Sequence, residues 1–419
     1  MCEMGNEARG TPYLRRLADG LIEELLAELP ALLIVGPRAS GKTTTATRHV
    51  RTIVRLDRPA EAMAFRADPD AALRGLPEPV LLDEWQAAPG VLGAIKRTVD
   101  ADPRPGRFIV TGSVRADLEG ELWPGTGRLV RVPMYGMTVR EQTGRLGGTP
   151  LLDALAAGEG LPRPHDPPDL RGYVELALRS GFPEPALRLS AAARRRWLAS
   201  YVDHLLTRDA EQIDGGRDPN RLRRYFEAYA FSSAGVVDDK TLYDAAGITR
   251  KTAVAYEQLL KNLLVVESTP AWTSNRLERL VLSPKRYVID PGLIGGVLGV
   301  DENSVLRDGN LLGRLLATFV AAQLRAELAV SASRPRLYHL RQREGRHEVD
   351  MIAELGAQRL IALEVKATAA PASDDARHLA WLRGLLGDRF IHGIVFHTGP
   401  RTYELGDRIT AAPICILWS

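Results

Sequence analysis

Lys42, Thr43, Asp83 and Glu84 are the residues whose types and spacing point most directly to chemistry on a phosphate. The apolar run Leu32-Leu33-Ile34-Val35 leads into Gly36-Pro37-Arg38-Ala39-Ser40-Gly41-Lys42-Thr43-Thr44, a G-x-x-x-x-G-K-T loop followed by a helix-compatible run to Val50. Glycines at 36 and 41 let the backbone turn and bring its N–H groups close to an anion. Lys42 would reach the β- and γ-phosphates of ATP, and Thr43 would place its hydroxyl on Mg²⁺. The helix behind them would aim its positive end at the same anion. Pro79-Val80-Leu81-Leu82-Asp83-Glu84 is a short apolar run ending in two carboxylates. Asp83 would hold Mg²⁺ through water, and Glu84 would orient and deprotonate the attacking water. An Asp-Glu pair after a strand is also an ordinary helix cap; its position behind the phosphate loop favours the catalytic reading. Arg107-Phe108-Ile109-Val110-Thr111-Gly112-Ser113 ends in small polar residues. Ser113 stands where a hydroxyl would meet the γ-phosphate or the water, although Thr-Gly-Ser is a turn signal as well. Arg128, with Arg131 second, is the candidate to stabilise charge in phosphoryl transfer; the alternative is a solvated arginine in an arginine-rich chain.

A second group lies near the C-terminus. Asp350 sits on one strand-like run, and Glu364 and Lys366 sit on the next, with thirteen residues between Asp350 and Glu364. Period-two alternation puts Glu364 and Lys366 on one face. Two carboxylates can coordinate Mg²⁺, and a lysine can orient water or stabilise developing charge. A third group, Arg250, Lys251, Thr252 and Tyr256, lies on a helix opened by Thr249 and preceded by a helix that Gly247 ends. In DNA-binding helix-turn-helix proteins these positions face the major groove; such modules also serve as protein contacts.

The elements that must position these residues follow from the pattern. Five strand-like runs, 31–35, 52–56, 79–83, 107–112 and 128–133, alternate with helix-compatible segments. They imply an open parallel α/β sheet with nucleotide at the strand C-terminal ends. Leu14 to Leu29 repeats leucine at helical spacing and packs against that sheet. The Gly- and Pro-rich stretch 145–170 leaves the core, and helices at 170–178 and 191–206 form a helical lid. Arg208 of this lid is placed either to sense the γ-phosphate or to pair with a neighbouring acid. Helices at 221–231, 240–246 and 250–262, followed by a strand over 263–267, read as a winged helix-turn-helix. The division is 1–145, 146–215, 216–292 and 293–419.

Composition excludes several classes. The chain has 419 residues, 45% hydrophobic and 26% charged, with a net charge of +3 too small to demand a nucleic-acid partner. Lysine accounts for seven of the 55 basic residues, so arginine content alone says little. There is no apolar run long enough to cross a membrane and no signal-peptide pattern. Cys2 and Cys415 make neither a metal cluster nor a disulfide framework. The expectation is a cytoplasmic protein without membrane contact.

The motifs GPRASGKTT, LLDEWQ, FIVTGSVR and the later GR resemble the AAA-type ATPases whose C-terminal half is the uncharacterised domain DUF4143. The resemblance continues through SGFPEPAL, LLTRDA, PKRYVIDPGL and HEVDMI…LEVKA, nearly the whole chain. It implies an AAA-type core with lid and winged helix, ATP and Mg²⁺ as cofactors, and a homo-oligomer such as a hexameric ring, in which an arginine acts in cis or trans. The αβββαβ order after residue 301 resembles a restriction-endonuclease-like core and Holliday-junction resolvases, which implies DNA, including branched DNA, as a partner. One departure stands out: a glutamate usual in the family's G-x-L-x-E-x-x-V is Ala317 here. That removes a carboxylate able to support a metal. A nucleotide-switched scaffold without DNA and an ATP-regulated nuclease are the alternatives.

Overall fold

A computed structural model describes residues 12–112, 127–213, 218–275, 279, 282–342 and 346–419. The N-terminal unit contains α1 (Leu17–Glu28), β1 (Ala31–Val35), α2 (Lys42–Ala46), β2 (Thr52–Arg55), α3 (Pro59–Ala67), α4 (Pro69–Leu73), β3 (Val80–Asp83), α5 (Gly90–Ala101), β4 (Phe108–Gly112), β5 (Val130–Pro133) and α6 (Val139–Gln142). Its five strands are all parallel in the order β2-β3-β4-β1-β5. The central strands are apolar on both faces because helices cover both. Ala31 and Leu33 of β1 point into one core with Val80, Leu82 and Val110. Leu32 and Ile34 point into another with Leu81, Ile109 and Ile22 of α1.

The rest of the chain contains α7 (Leu151–Ala156), α8 (Leu170–Arg179), α9 (Pro183–Leu187), α10 (Ala191–His204), a π-helical turn (Leu205–Asp209), α11 (Ala210–Ile213), α12 (Pro219–Phe231), α13 (Asp239–Ala246), α14 (Arg250–Asn262), β6 (Val266–Thr269) and β7 (Lys285–Val288). It continues with α15 (Pro291–Leu298), α16 (Glu302–Arg307), α17 (Gly309–Val330), β8 (Arg336–Arg341), β9 (Glu348–Glu354), β10 (Leu360–Val365), α18 (Arg377–Leu386), β11 (Phe390–His397), β12 (Tyr403–Gly406) and β13 (Ile409–Pro413). β6 and β7 form an antiparallel ribbon. The last six strands form a mixed sheet, β12-β13-β11-β10-β9-β8.

Four differences from the sequence reading stand out, the first two with local causes. α2 stops at Ala46 instead of reaching Val50, because it starts with three consecutive β-branched threonines of modest helix propensity. β6 starts at Val266, three residues late: Leu264 takes a left-handed φ of 58° and the N–H of Val265 bonds back to Leu260 O, closing α14 first. β12 and β13, absent from the sequence reading, extend the last sheet. The expected boundaries near 215 and 292 do not separate cores. One continuous cluster of buried side chains runs from Val139 through Tyr225, Leu260, Tyr287 and Leu316 to Trp418.

Candidate active site

The phosphate loop joins β1 to α2 at the C-terminal end of the sheet. Gly36 is required by packing: a Cβ there would lie 2.0 Å from the carbonyl oxygen of Met134. Gly41 has φ 94°, a conformation that glycine adopts without the Cβ penalty. The loop is braced from outside. Buried Arg16 donates to Ser40 O, Tyr135 O and the Glu141 carboxylate at 2.8–2.9 Å, and Tyr201 of α10 donates to Arg38 O at 3.2 Å. Lys42 is 5% exposed, and its ammonium donates to the carbonyls of Gly36 (2.9 Å) and Pro37 (2.8 Å). Burial lowers its pKa to about 8, against the raising effect of the Glu84 and Asp83 charges. The Ser40 hydroxyl is buried and has no hydrogen-bond partner among the described residues.

Asp83 closes β3 facing α2. Its Oδ1 accepts from the hydroxyls of Thr43 (2.8 Å) and Thr111 (2.5 Å). Glu84 follows in the left-handed region, φ 54° and ψ 55°, a strained conformation for a non-glycine residue that turns it off the strand end. Burial raises its pKa; Asp83 adds to that and Lys42 opposes it. Thr111 was missed by sequence reasoning, which took the polar end of this strand to be Ser113. Ser113 lies outside the described residues. Mg²⁺ and ATP fit this donor set. Thr43 and Asp83 supply a hydroxyl and a carboxylate oxygen, hard ligands of the kind Mg²⁺ takes. Lys42 rests on neutral carbonyls that a phosphate oxygen can replace.

Three family models match the chain. Residues 28–143 match an AAA domain. Residues 170–304 match a domain of unknown function, DUF8612, and residues 312–417 match another, DUF4143. Together they support an AAA-like, nucleotide-hydrolysing ATPase with a C-terminal DUF4143 domain. Uncharacterized proteins of Mycobacterium bovis and Mycobacterium tuberculosis are each 27% identical over 404 residues, spanning 95% of this chain and 83% of the relative. A Walker-type ATPase of Pyrococcus abyssi has a TM-score of 0.41 at 13% identity, covering 67% of this chain and 94% of its own. Among the described residues, no helix is long and apolar enough to cross a membrane.

The arginines of the AAA domain separate by strand register. β5 runs parallel to β1 with Val130 beside Leu32 and Pro133 beside Val35. Arg128 is therefore level with Pro30, six residues before Gly36 and roughly 20 Å from it at the rise of a strand. It donates to Asp100 at 2.8 Å. Of the two expected arrangements, cis and trans, this register sets Arg128 far from the phosphate loop of its own chain. Arg131 lines a cavity together with Gly36, Pro37 and Tyr135. Arg208 is exposed on the π-helical turn.

The helix carrying the third group, α14, is capped by the Thr249 side chain, which accepts the Thr252 N–H and shares a 3.0 Å hydrogen bond with the Thr252 hydroxyl. Arg250 and Lys251 are exposed, and Thr252 is half-buried. Tyr256 is not on the exposed side: with Ala253, Leu259 and Leu260 it faces the core, edge-on to Tyr225. The β6–β7 ribbon is not a free wing, since all four residues of β7 are buried.

In the DUF4143 region the fold brings Asp350 of β9 next to β10. Asp350 Oδ2 accepts the N–H of Val365 at 3.0 Å, and the carboxyl of Glu364 hydrogen-bonds to Asp350. Lys366, just past β10, is half-buried. A fourth member was missed: Lys285 of β7, whose Nζ lies 2.5 Å from Asp350 Oδ1. Its only sequence signal was its place in PKRYVIDPGL. Burial would raise the Asp350 pKa, but Lys285 and the hydrogen bonds from Glu364 and Val365 hold it down to about 2. Burial, and then the Asp350 charge, push the Glu364 carboxyl well above the carboxylate range. Among the described residues, no three His, Cys, Asp or Glu side chains are grouped to hold a metal.

Proposed function

We propose that this chain is a Mg²⁺-dependent ATPase whose hydrolysis cycle acts on nucleic acid. The observation that carries the ATPase reading is the convergence of Lys42, Thr43, Asp83, Thr111 and Glu84 at the C-terminal edge of one parallel sheet. Lys42 exchanges its loop carbonyls for phosphate oxygens, and the amides opening α2, which have no intrahelical acceptor, point toward the same anion. Thr43 and Asp83 would hold Mg²⁺, which when bound neutralises charge on the β- and γ-phosphates. Glu84 takes a proton from the attacking water; its raised pKa makes it a better base than an exposed glutamate. Thr111 keeps the Asp83 carboxylate oriented. Hydrolysis by Glu84→Gln should fall about 10²–10⁴-fold with ATP binding retained. An unchanged turnover rate would refute the assignment.

The nucleic-acid part rests on α14. Its capped N-terminal turn presents Arg250 and Lys251 to solvent, the arrangement by which a recognition helix meets phosphates and base edges. DNA, including junctions, is the ligand class, and affinity must fall steeply with salt. Arg128, far from its own loop, suits a neighbouring subunit's phosphates, which would make the active form an oligomer. The buried β7 favours a second reading, in which the three-helix unit contacts protein and nucleotide only switches its position. The absence of binding to duplex, junction and single-stranded DNA at low salt would select that reading.

A further inference from the structure

Two carboxylates brought together by adjacent strands are a metal site only if both present lone pairs to one open point. In the DUF4143 region that point is taken. Lys285 reaches across from the ribbon, is 1% exposed, and sets its ammonium 2.5 Å from Asp350 Oδ1. The other oxygen of Asp350 is engaged by the Val365 amide. An ammonium is a compact point charge with three donors, so it can satisfy the carboxylate oxygens that a cation would otherwise bridge. A divalent ion placed there would have to share the site with it against charge repulsion.

The charge count agrees. A divalent cation balances two ionised carboxylates. A single ammonium balances one, and Lys285 sits against Asp350. The third carboxylate that would support a metal is missing as well, since the position on α17 is Ala317, buried at 7% exposure. The Asp350, Glu364 and Lys366 set therefore does not fit a bound metal.

We propose that Lys285 is a tethered replacement for the metal ion of the Asp350–Glu364 pair, so that this sheet binds the β6–β7 ribbon of its own chain instead of a divalent cation, and does not cleave nucleic acid. The inference does not rest on the ATPase reading and stands if that reading fails.

The test is Mn²⁺ stoichiometry of the full chain without nucleotide, read from free Mn²⁺ by electron paramagnetic resonance. Wild type and Asp350→Asn should bind equal numbers of ions. Lys285→Ala should gain one site, and Lys285→Ala with Asp350→Asn should lose it again. Loss of a wild-type site in Asp350→Asn overturns the proposal, as does a folded Lys285→Ala that gains none. Should Lys285→Ala fail to fold, nicking of supercoiled plasmid by wild type and Asp350→Asn decides. No nicking in Mg²⁺ or Mn²⁺ is expected; nicking that Asp350→Asn abolishes refutes the inference.

Discussion

Lys42 and Lys285 are two lysines buried to almost the same degree, 5% and 1% exposed, and the protein treats them in opposite ways. Lys42 rests on two neutral carbonyls, and burial lowers its pKa to about 8. Lys285 rests on a carboxylate. Burial works against its charge there too, but the Asp350 charge outweighs it and holds the ammonium above the ordinary lysine range. The partner, and not the burial, decides the role. A buried cation with neutral partners has an unmet electrostatic demand that an incoming phosphate satisfies. A buried cation with an ionised partner has none, and removing either member leaves an uncompensated charge.

The largest expected effect breaks the first member of the pair. Lys42→Ala should lower ATP hydrolysis by about 10²–10³-fold, the cost of losing one donor aimed at developing charge, with the circular dichroism spectrum unchanged. The second member should respond in stability instead. Lys285→Ala should cost about 3–5 kcal/mol in urea unfolding, because Asp350 is left buried and unpaired. Lys285→Met combined with Asp350→Asn should cost much less. Lys42→Met, which removes a buried charge hydrogen-bonded only to neutral carbonyls, should leave the nucleotide-free protein as stable or more so. Equal losses in Lys42→Met and Lys285→Ala would erase the contrast.

A pH titration sharpens it. The phosphate needs the ammonium form of Lys42, and that form is lost from the free protein above about pH 8. ATP binding must then take up a proton, so affinity should weaken about tenfold per pH unit above 8, measured by calorimetry in buffers of different ionisation enthalpy. The folded lysine titrates below the unfolded one, so between pH 8 and the ordinary lysine value the unfolded state binds more protons and Lys42's contribution to stability rises with pH. The smallest effect concerns α14. Arg250→Ala and Lys251→Ala should each reduce the slope of log affinity against log salt by about 1 if they contact phosphate. Unchanged slopes in both would remove this helix from any DNA interface.

How much was legible varied with the range of the signal. The five strands of the first sheet fall within two residues of the hydrophobic runs, and the three central ones, β1, β3 and β4, are buried on both faces and so read as unbroken apolar stretches. The caps of this turn were equally local: Gly247 closes α13 and Thr249 opens α14, each acting within four residues of itself. Tyr256 was placed on the wrong face because an aromatic polar residue suits either side of a helix, and only packing against Tyr225 selects one. Thr111 lost to Ser113 because two hydroxyls one glycine apart look alike until the strand's pleat points one at Asp83.

The sequence by itself determined the phosphate loop, the carboxylates behind it and the strands that end at both, because their geometry is set by residues a few positions apart. Tertiary structure alone decided the rest. It put Arg128 at the far end of the sheet, since strand register is a pairing between distant segments. It set Lys285 against Asp350, 65 positions away, where the meaning of two acids changes from a metal site to an ion pair. It also joined the helical and C-terminal regions in one cluster of buried side chains running from Val139 to Trp418, contacts between segments far apart in sequence.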